Sequence, residues 1–224
     1  MLSLKQILAR GSVGFALAAV SACGAHPTPA IHADPAADPV ERGRRLVSIG
    51  GCNDCHTPMK FDPEVGMPVP DMSRMLSGHP EGAPDPSSSL SGHDMAAIGP
   101  TFTAFRLPFG VVYTANLTPD AATGLGAWTK EMFVTAVRTG RHMGGRGRPI
   151  LPPMPWPTLA RQSDADLEAI FAYLRSIPAI RNDVPAPKVP DQAMDGVAAS
   201  YEKMMAKARA HAAATPTPTN VAQR

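Results

Sequence analysis

The sequence predicts an all-α protein in which a small helical domain contains a long irregular insertion and is followed by an extra C-terminal helix. Three segments carry apolar residues at helical spacing, and each lies between residues typical of a helix N-terminus and a helix C-terminus. The long segment between the first two shows no periodicity. Only 2 Trp, 3 Tyr and 7 Phe occur in 224 residues. Side chains alone would therefore give a thin core, and we expect another group to help fill it.

The first residues have the features of an export signal. Basic residues precede an apolar run, Val13 to Val20, that is too short to span a bilayer in the mature protein. The run leads into Val-Ser-Ala-Cys ending at Cys23, which resembles the lipobox of bacterial lipoproteins. We expect residues 1–22 to be removed and the Cys23 sulfur to carry a lipid anchor. The alternative is an ordinary signal peptide cleaved near Ala22 or Ala25, with no role for the cysteine.

Residues 23–37 are rich in Pro and Ala, and we expect them to form a flexible tether between the anchor and the domain. The full chain has a formal net charge of +2. Loss of Lys5 and Arg10 with the signal would make it neutral, since residues 1–22 contain no Asp or Glu. A neutral chain lacks the basic surface of a nucleic-acid-binding protein, so we expect no nucleic-acid partner.

The first helix is predicted from Pro39 to Ile49. Asp38 and Glu41 have the spacing of a capping box, and proline suits the first helical position. Gly50 and Gly51 end the helix.

Directly after this helix stands Cys52-Asn53-Asp54-Cys55-His56, the C-x-x-C-H signature of c-type haem attachment. On one helical turn the two thiols can reach the two vinyl groups of a haem, and the imidazole of His56 lies beneath the iron as a ligand. The motif predicts one covalent haem c.

Three other interpretations of the two cysteines compete with this one. A thioredoxin-like dithiol would need a βαβ pattern around the motif, and none is visible. A zinc site would need four ligands, and with Cys23 at the mature N-terminus no second cysteine pair exists. A disulfide across two residues would be strained and would leave His56 without a role. Haem attachment of this kind also agrees with export, because it takes place on the periplasmic side of the membrane.

Between Thr57 and Phe109 lie about fifty residues rich in Pro, Gly, Ser and Met, without helical or alternating periodicity. Long segments of this kind tend to be functional or disordered. We expect one part to cover the haem and another, around Glu81 to Ser91, to be mobile. A docking role for the segment is a hypothesis.

Two helices are predicted in the second half of the chain. Thr129 caps a helix from Lys130 to Thr139, which Gly140 ends, and Ser163 caps a helix from Asp164 to Ile177. The second helix has an apolar stripe, which we assign to the protein core, formed by Leu167, Ile170, Phe171 and Leu174.

Met154 is the candidate for a second iron ligand among the 12 methionines. Pro152, Pro153 and Pro155 flank it, and prolines fix an extended backbone. Such a loop can hold a thioether against a metal at a small cost in ordering entropy. The alternative is a polyproline II surface segment with Met154 idle.

The histidines that compete for this role have no comparable frame. We expect each of them to lie on the surface or to form ordinary hydrogen bonds. They are His79, His93 and His142.

Beyond Pro190, apolar residues indicate one more amphipathic helix to about His211, and the Thr/Pro-rich end of the chain is expected to be disordered. The predicted organisation is a signal peptide at 1–22, a lipidated tether at 23–37, a domain at 38–189, a helix at 190–213 and a tail at 214–224.

Four segments resemble cytochromes c in the same order along the chain. They are Gly51 to Pro58, Tyr113 to Trp128, Pro152 to Trp156 and Ser163 to Ile177. Val40 to Pro185 is similar to the single-domain class I cytochromes c that are allied to the cytochrome subunits of membrane-bound alcohol and aldehyde dehydrogenases. The resemblance implies a cytochrome c-like helical domain wrapped around the covalent haem.

The resemblance also implies the ligands. His56 would be the proximal and Met154 the distal ligand of the iron, and Asn116 to Thr118 would lie near the haem edge. The dehydrogenase subunits carry several haems, whereas this chain has one C-x-x-C-H motif, so a relay of haems within the polypeptide is not expected.

Iron with both axial positions filled favours electron transfer over chemistry on a substrate. We therefore expect an electron carrier and not an enzyme. It would be lipid-anchored on the periplasmic side of a bacterial membrane and carry single electrons between a dehydrogenase or quinol oxidase and a further cytochrome or terminal oxidase. The alternatives are a fixed haem subunit of a dehydrogenase complex and, if Met154 is not bound, a five-coordinate ligand sensor or peroxidase.

Overall fold

A computed structural model describes residues 38–87 and 89–214, which are mostly helical with two small antiparallel sheets. The α-helices in these ranges are α1 (Pro39–Ile49), α2 (Cys52–His56), α3 (Lys130–Thr139), α4 (Trp156–Leu159), α5 (Asp164–Ser176) and α6 (Asp191–Ala214). The strands are β1 (Met59–Asp62), β2 (Met67–Pro70), β3 (Ala97–Ile98), β4 (Ala104–Leu107) and β5 (Gly110–Tyr113). The all-α prediction is confirmed in part, because the described residues are mostly helical but also form two small sheets.

The first sheet is a hairpin of β1 and β2 that begins three residues after His56. The Asp62 carboxylate accepts hydrogen bonds from the backbone N–H groups of Glu64 (2.8 Å) and Val65 (3.1 Å), and Gly66 takes a φ of +76°. Neither strand shows alternating burial. The sequence therefore lacks the two-residue period by which a half-buried strand is recognised.

The second sheet has the order β3-β4-β5 and extends to the end of the predicted insertion. Pro108 and Phe109 connect β4 to β5. The chain returns to this sheet after α5, where the N–H of Lys188 donates to the carbonyl of Val111 at 2.8 Å. The insertion is thus partly regular, and the prediction of a long irregular insertion did not include the strands β1 to β4.

The segment predicted to be mobile, Glu81 to Ser91, is attached to the domain in its first half. Asn182 accepts a hydrogen bond from the N–H of Glu81 at 2.9 Å, and Asp85 forms an ion pair with Lys188 at 2.7 Å. Ser88 lies outside the described residues. The mobility of the segment stays a prediction.

Helix α1 begins and ends as predicted, but its N-terminus is not a capping box. The Asp38 carboxylate accepts from the N–H of Val40 at 3.2 Å. The Glu41 carboxylate instead binds the Arg44 guanidinium through two hydrogen bonds of 2.7 Å. A charged bidentate partner on the next turn outcompetes the neutral backbone N–H for this carboxylate.

Helices α1 and α5 pack closely, and Gly43 makes this possible. A Cβ at Gly43 would lie 1.9 Å from the carbonyl oxygen of Ala169, so no larger residue fits. Beside this contact Arg42 and Asp166 form an ion pair at 2.7 Å.

Helices α3 and α5 confirm the predicted caps. Thr129 accepts from the N–H of Met132, Ser163 accepts from the N–H of Asp166, and Gly140 ends α3 in the left-handed conformation. These helices and α1 enclose a buried group that we call the helical cluster, consisting of Val47, Leu76, Leu125, Val137, Leu167, Ile170, Phe171, Leu174 and Ile177. The stripe assigned to the core from sequence belongs to it.

Helix α6 extends the predicted C-terminal helix to Ala214. Its first half packs against a second buried group, the sheet cluster, consisting of Phe105, Val112, Leu151 and Val189. No helix within the described ranges is long and apolar enough to cross a membrane. The predicted signal peptide, Cys23, the tether and all but the first residue of the predicted tail lie outside the described residues.

Candidate haem site

Helix α2 presents the predicted motif as a single helical turn. Gly51 precedes it with a φ of +63°, a left-handed conformation that glycine adopts without strain. The thiols of Cys52 and Cys55 are free. Cys52 packs against the helical cluster and Cys55 against the sheet cluster. The two cysteines therefore mark the boundary between the two apolar regions of the domain.

The imidazole of His56 is held in place by a hydrogen bond at its Nδ1 atom. Its Nδ1 lies 2.8 Å from the carbonyl oxygen of Ala115, which selects the tautomer with the proton on Nδ1. Only 7% of the residue is exposed. The contact with Ala115 is the one hydrogen bond that the structure gives the imidazole among the described residues, which leaves Nε2 as the nitrogen that a metal could bind.

The pKa values of Cys52, Cys55 and His56 in α2 are shifted so that the neutral form of each group is favoured. Burial lowers the pKa of His56, although the hydrogen bond to Ala115 acts in the opposite direction. Burial also raises the pKa of Cys52 and of Cys55, with a smaller contribution from Asp54. The imidazole is therefore neutral around pH 7, the form in which histidine binds metals.

Thr57 secures the end of the motif. It is fully buried, and its hydroxyl donates to the side chain of Asn53 at 2.8 Å and accepts from the N–H of Leu76 at 2.9 Å. The turn is thus fixed to the segment that runs behind His56.

That segment approaches the site through Gly78. Its N–H donates to the carbonyl of His56 at 2.8 Å, and its φ is +77°. A Cβ at Gly78 would lie 2.6 Å from the carbonyl oxygen of Ala115. Glycine is required here because the chain passes directly behind the carbonyl that orients the imidazole.

Asn182, which follows α5, fixes this segment through side-chain hydrogen bonds. Its amide donates to the carbonyls of Ser77 (2.7 Å) and His79 (2.8 Å), and its Oδ1 accepts from Arg74 at 3.0 Å. Sequence reasoning missed Ala115, Gly78 and Asn182. Ala115 acts through its backbone, and the other two stand in irregular segments, so no side-chain motif signals them.

Asn116 to Thr118, expected near the haem edge, follow Ala115 directly. The Asn116 amide donates to Thr123 (3.1 Å) and to the carbonyl of Ile180 (2.8 Å), and its oxygen accepts from Thr118. The side chain of Asn116 is therefore fully used in holding its own loop.

Met154 lies in a loop between two buried anchors, Leu151 and Trp156. The residue is half-buried, and its N–H donates to the carbonyl of Leu151 at 3.3 Å. Leu151 shares the sheet cluster with Cys55. This brings the loop to the side of Cys55. The pairing of Met154 with His56 stays a prediction.

Two other methionines pack against the same clusters as the cysteines. Met75 packs against the helical cluster, as Cys52 does, and Met194 packs against the sheet cluster, as Cys55 does. Burial in these clusters accounts for both residues as ordinary packing.

Of the competing histidines, His79 and His93 are placed as the sequence predicts, whereas His142 is half-buried against an aromatic ring. His79 is fully buried, with Nδ1 at 3.0 Å from the hydroxyl of Thr103, and His93 is exposed. His142 lies edge-on to Trp128, with 6.5 Å between ring centroids. Within the described ranges no three His, Cys, Asp or Glu side chains group closely enough to hold a metal ion.

The donor set fits a covalently attached haem. Two free thiols stand one turn apart against two apolar clusters, and a neutral imidazole beside them keeps its Nε2 available. Two thiols toward the vinyl groups, an imidazole toward the iron and an apolar surround are what haem c requires.

Comparisons with known proteins agree with this chemistry. The chain is 30% identical over 147 residues to one of the subunits of nicotinate dehydrogenase from Pseudomonas putida, which covers 66% of this chain and 9% of that protein. It is 41% identical over 66 residues to the cytochrome c subunit of gluconate 2-dehydrogenase from Pantoea cypripedii, covering 30% of this chain and 14% of the relative. No family model matches the chain.

A third relative is the cytochrome c subunit of the quinone-dependent alcohol dehydrogenase of Gluconobacter oxydans. The identity is 40% over 68 residues, or 30% of this chain and 14% of the relative. The matches to these three proteins thus span only 9 to 14% of the relatives' own length.

Proposed function

We propose that this chain, a relative of the cytochrome c subunits of dehydrogenases, is an electron-transfer cytochrome c with a single covalent haem. The observation that carries the proposal is α2, where two free thiols precede an imidazole that is hydrogen-bonded through Nδ1 and leaves Nε2 for a metal. Its role is electron transfer and not catalysis on a substrate. The single C-x-x-C-H motif supports a count of one haem.

When bound, haem c supplies a one-electron couple between ferrous and ferric iron. The chain's own residues prepare the site for it. Cys52 and Cys55 make the attachment, Ala115 fixes the tautomer and the ring orientation of His56, and Gly78 lets the supporting backbone approach. The apolar clusters beside the thiols keep water away from the site.

We assign Met154 as the second axial ligand. Support comes from its position in a short proline-rich loop between buried anchors, on the side of the domain where Cys55 lies. A thioether ligand raises the reduction potential and leaves no open position for a substrate. An open position would instead favour the sensor or peroxidase alternative.

The partners would be redox proteins. The relatives are subunits of nicotinate, gluconate, alcohol and fructose dehydrogenases, which supports a dehydrogenase as electron donor. A quinol oxidase would be the alternative donor, and a further cytochrome or a terminal oxidase would accept the electron. The same relatives favour, as a second candidate, a fixed haem subunit of such a complex.

The lipid anchor and the location are proposed from sequence. The apolar run before Cys23 supports export, lipidation of that cysteine and a place on the periplasmic side of a bacterial membrane. Metabolic labelling with a radioactive fatty acid tests this: label should enter the wild-type protein and not Cys23→Ala. Equal labelling of both would contradict the anchor.

A redox titration of the purified protein, followed by visible absorption, tests the main function. We expect one reversible transition that fits a one-electron equation, with low-spin spectra in both states. A ferrous protein that has a high-spin spectrum and binds carbon monoxide at once would favour the five-coordinate alternative. Detergent gel filtration then separates the free carrier, which elutes alone, from the fixed subunit, which co-elutes with a dehydrogenase.

A further inference from the structure

Helix α6 and the loop that carries Met154 contact the same part of the domain. Ala193, Met194 and Val197 in the first half of α6 pack against the sheet cluster. Leu151, three residues before Met154, is a buried member of that cluster, and Cys55 packs against it. One end of the loop is therefore anchored in a surface that α6 covers.

The other end of the loop is anchored by Trp156. Its indole is 5% exposed, and the ring of Tyr201 meets it edge-on at 5.2 Å between centroids, with an interplanar angle of 61°. At the C-terminal cap of α3, a Cβ at Gly140 would lie 2.3 to 2.7 Å from atoms of the indole ring. Trp156 is thus held between the glycine that ends α3 and an aromatic residue of α6.

Packing alone fixes this indole. Its Nε1 is buried and has no hydrogen-bond partner in the described part of the chain. A small pocket beside the ring is lined by Arg141, Tyr201 and Glu202 among others. Loss of the Tyr201 ring would enlarge this pocket and give the indole space to move, because no hydrogen bond would retain it.

We infer that α6 is a buttress for the axial ligand loop, and that Tyr201 is a positioning residue that holds Met154 in place through Trp156. The inference rests on the proposed function, since it takes Met154 as the iron ligand. Trp156 follows Met154 by two positions and Leu151 precedes it by three, so movement of either anchor is transmitted to the thioether. By limiting movement of the loop, α6 favours the state in which the Met154 sulfur is bound to iron over the state in which it is released.

The test uses the full-length haem-loaded protein and the pH at which the oxidised form loses its sulfur-to-iron absorption band. Tyr201→Ala should lower this midpoint by about one pH unit, a tenfold shift toward the released sulfur. Tyr201→Phe keeps the ring and should retain the wild-type midpoint. If Tyr201→Ala does not fold, Tyr201→Leu, which fills space without an aromatic edge, carries the same expectation.

Two controls separate positioning from general stability. Met204→Ala alters an exposed side chain of α6, and Arg42→Met removes the ion pair with Asp166 that joins α1 to α5. Arg42→Met should lower the free energy of unfolding, and neither variant should move the band midpoint.

A wild-type midpoint in Tyr201→Ala and Tyr201→Leu, with the band abolished in Met154→Ala, would overturn the buttress and leave the proposed ligand standing. A band that persists in Met154→Ala would overturn the ligand assignment and the buttress with it. The two failures are thus distinguished within one set of variants.

Discussion

The Nδ1 atom of His56 lies 2.8 Å from the carbonyl oxygen of Ala115, 59 residues further along the chain. Gly78, whose N–H donates to the carbonyl of His56, passes directly behind this contact. The orientation of the imidazole thus depends on three segments that are distant in sequence. A change at any of them should affect the imidazole, which is the proposed iron ligand, without altering the motif itself.

Gly78→Ala tests this dependence. The new Cβ would lie 2.5 to 2.6 Å from atoms of Thr114 and Ala115, and the residue would be held at a φ of +77°. We expect a loss of about 3 kcal/mol in the free energy of unfolding, from overpacking and backbone strain together. Denaturant unfolding measures it.

Gly82→Ala is the matched control, because Gly82 has a φ of +75° and open space around it. It should cost only the backbone strain, about 1 kcal/mol. Equal losses in the free energy of unfolding of the two variants would show that close packing behind Ala115 does not contribute to stability.

Met154→Ala should abolish the sulfur-to-iron band of the oxidised protein and lower the reduction potential, because the thioether stabilises ferrous iron. Visible spectroscopy and a redox titration measure the two effects. Met75→Leu and Met194→Leu are the controls, since these methionines pack near the two cysteines. Loss of the band in either control, with Met154→Ala unchanged, would assign the ligand to that methionine.

Gly43→Ala should destabilise the protein by about 2 kcal/mol or more, because the added methyl group would meet the backbone of Ala169 at 1.9 Å and force α1 away from α5. Thermal or denaturant unfolding measures the loss. In Gly196→Ala the new methyl group on α6 meets nothing within 4 Å. This control should be stabilising by about 0.5 to 1 kcal/mol through helix propensity, and a comparable loss in both variants would contradict the proposed α1–α5 contact.

Stability should depend on pH through His142. Burial, with a smaller contribution from the charge of Arg148, lowers the pKa of His142 to about 4 from its ordinary value of 6.5. Between these two values the unfolded chain binds a proton that the folded protein does not. The free energy of unfolding should therefore fall as the pH falls from 6.5 toward 4, by up to about 1.4 kcal/mol per pH unit.

Unfolding curves at several pH values should show a smaller decline for His142→Gln than for the wild type. His93→Gln, at an exposed position, should follow the wild-type curve. The same pH dependence in all three proteins would assign the decline to other groups.

The sequence predicted the parts of this protein that depend on local signals. The helix ends are set by hydrogen bonds that span three or four residues, at Thr129, Ser163 and Gly140, and these predictions are confirmed. The stripe on α5 identified the core because one face of that helix is buried. The Cys52 to His56 motif indicated its chemistry through residue type and spacing alone.

Prediction failed where residue type and spacing do not distinguish one structure from another. The β1–β2 hairpin has no buried face, so its strands carry no alternation. Glu41 binds Arg44 and not the helix end, a competition that spacing does not resolve. Ala115 supports His56 through a carbonyl group, which every residue possesses, so no residue type marks its role.

Covalent attachment of the haem by Cys52 and Cys55 is the property on which the proposed electron transfer depends. The most direct measurement is acid–acetone extraction of the purified protein, followed by haem staining of the denatured chain on a gel. We predict that the colour stays with the wild-type polypeptide and that Cys52→Ser/Cys55→Ser yields no stained band. A wild-type protein that is colourless, or that releases its pigment into the acetone, would contradict covalent attachment and the proposed function with it.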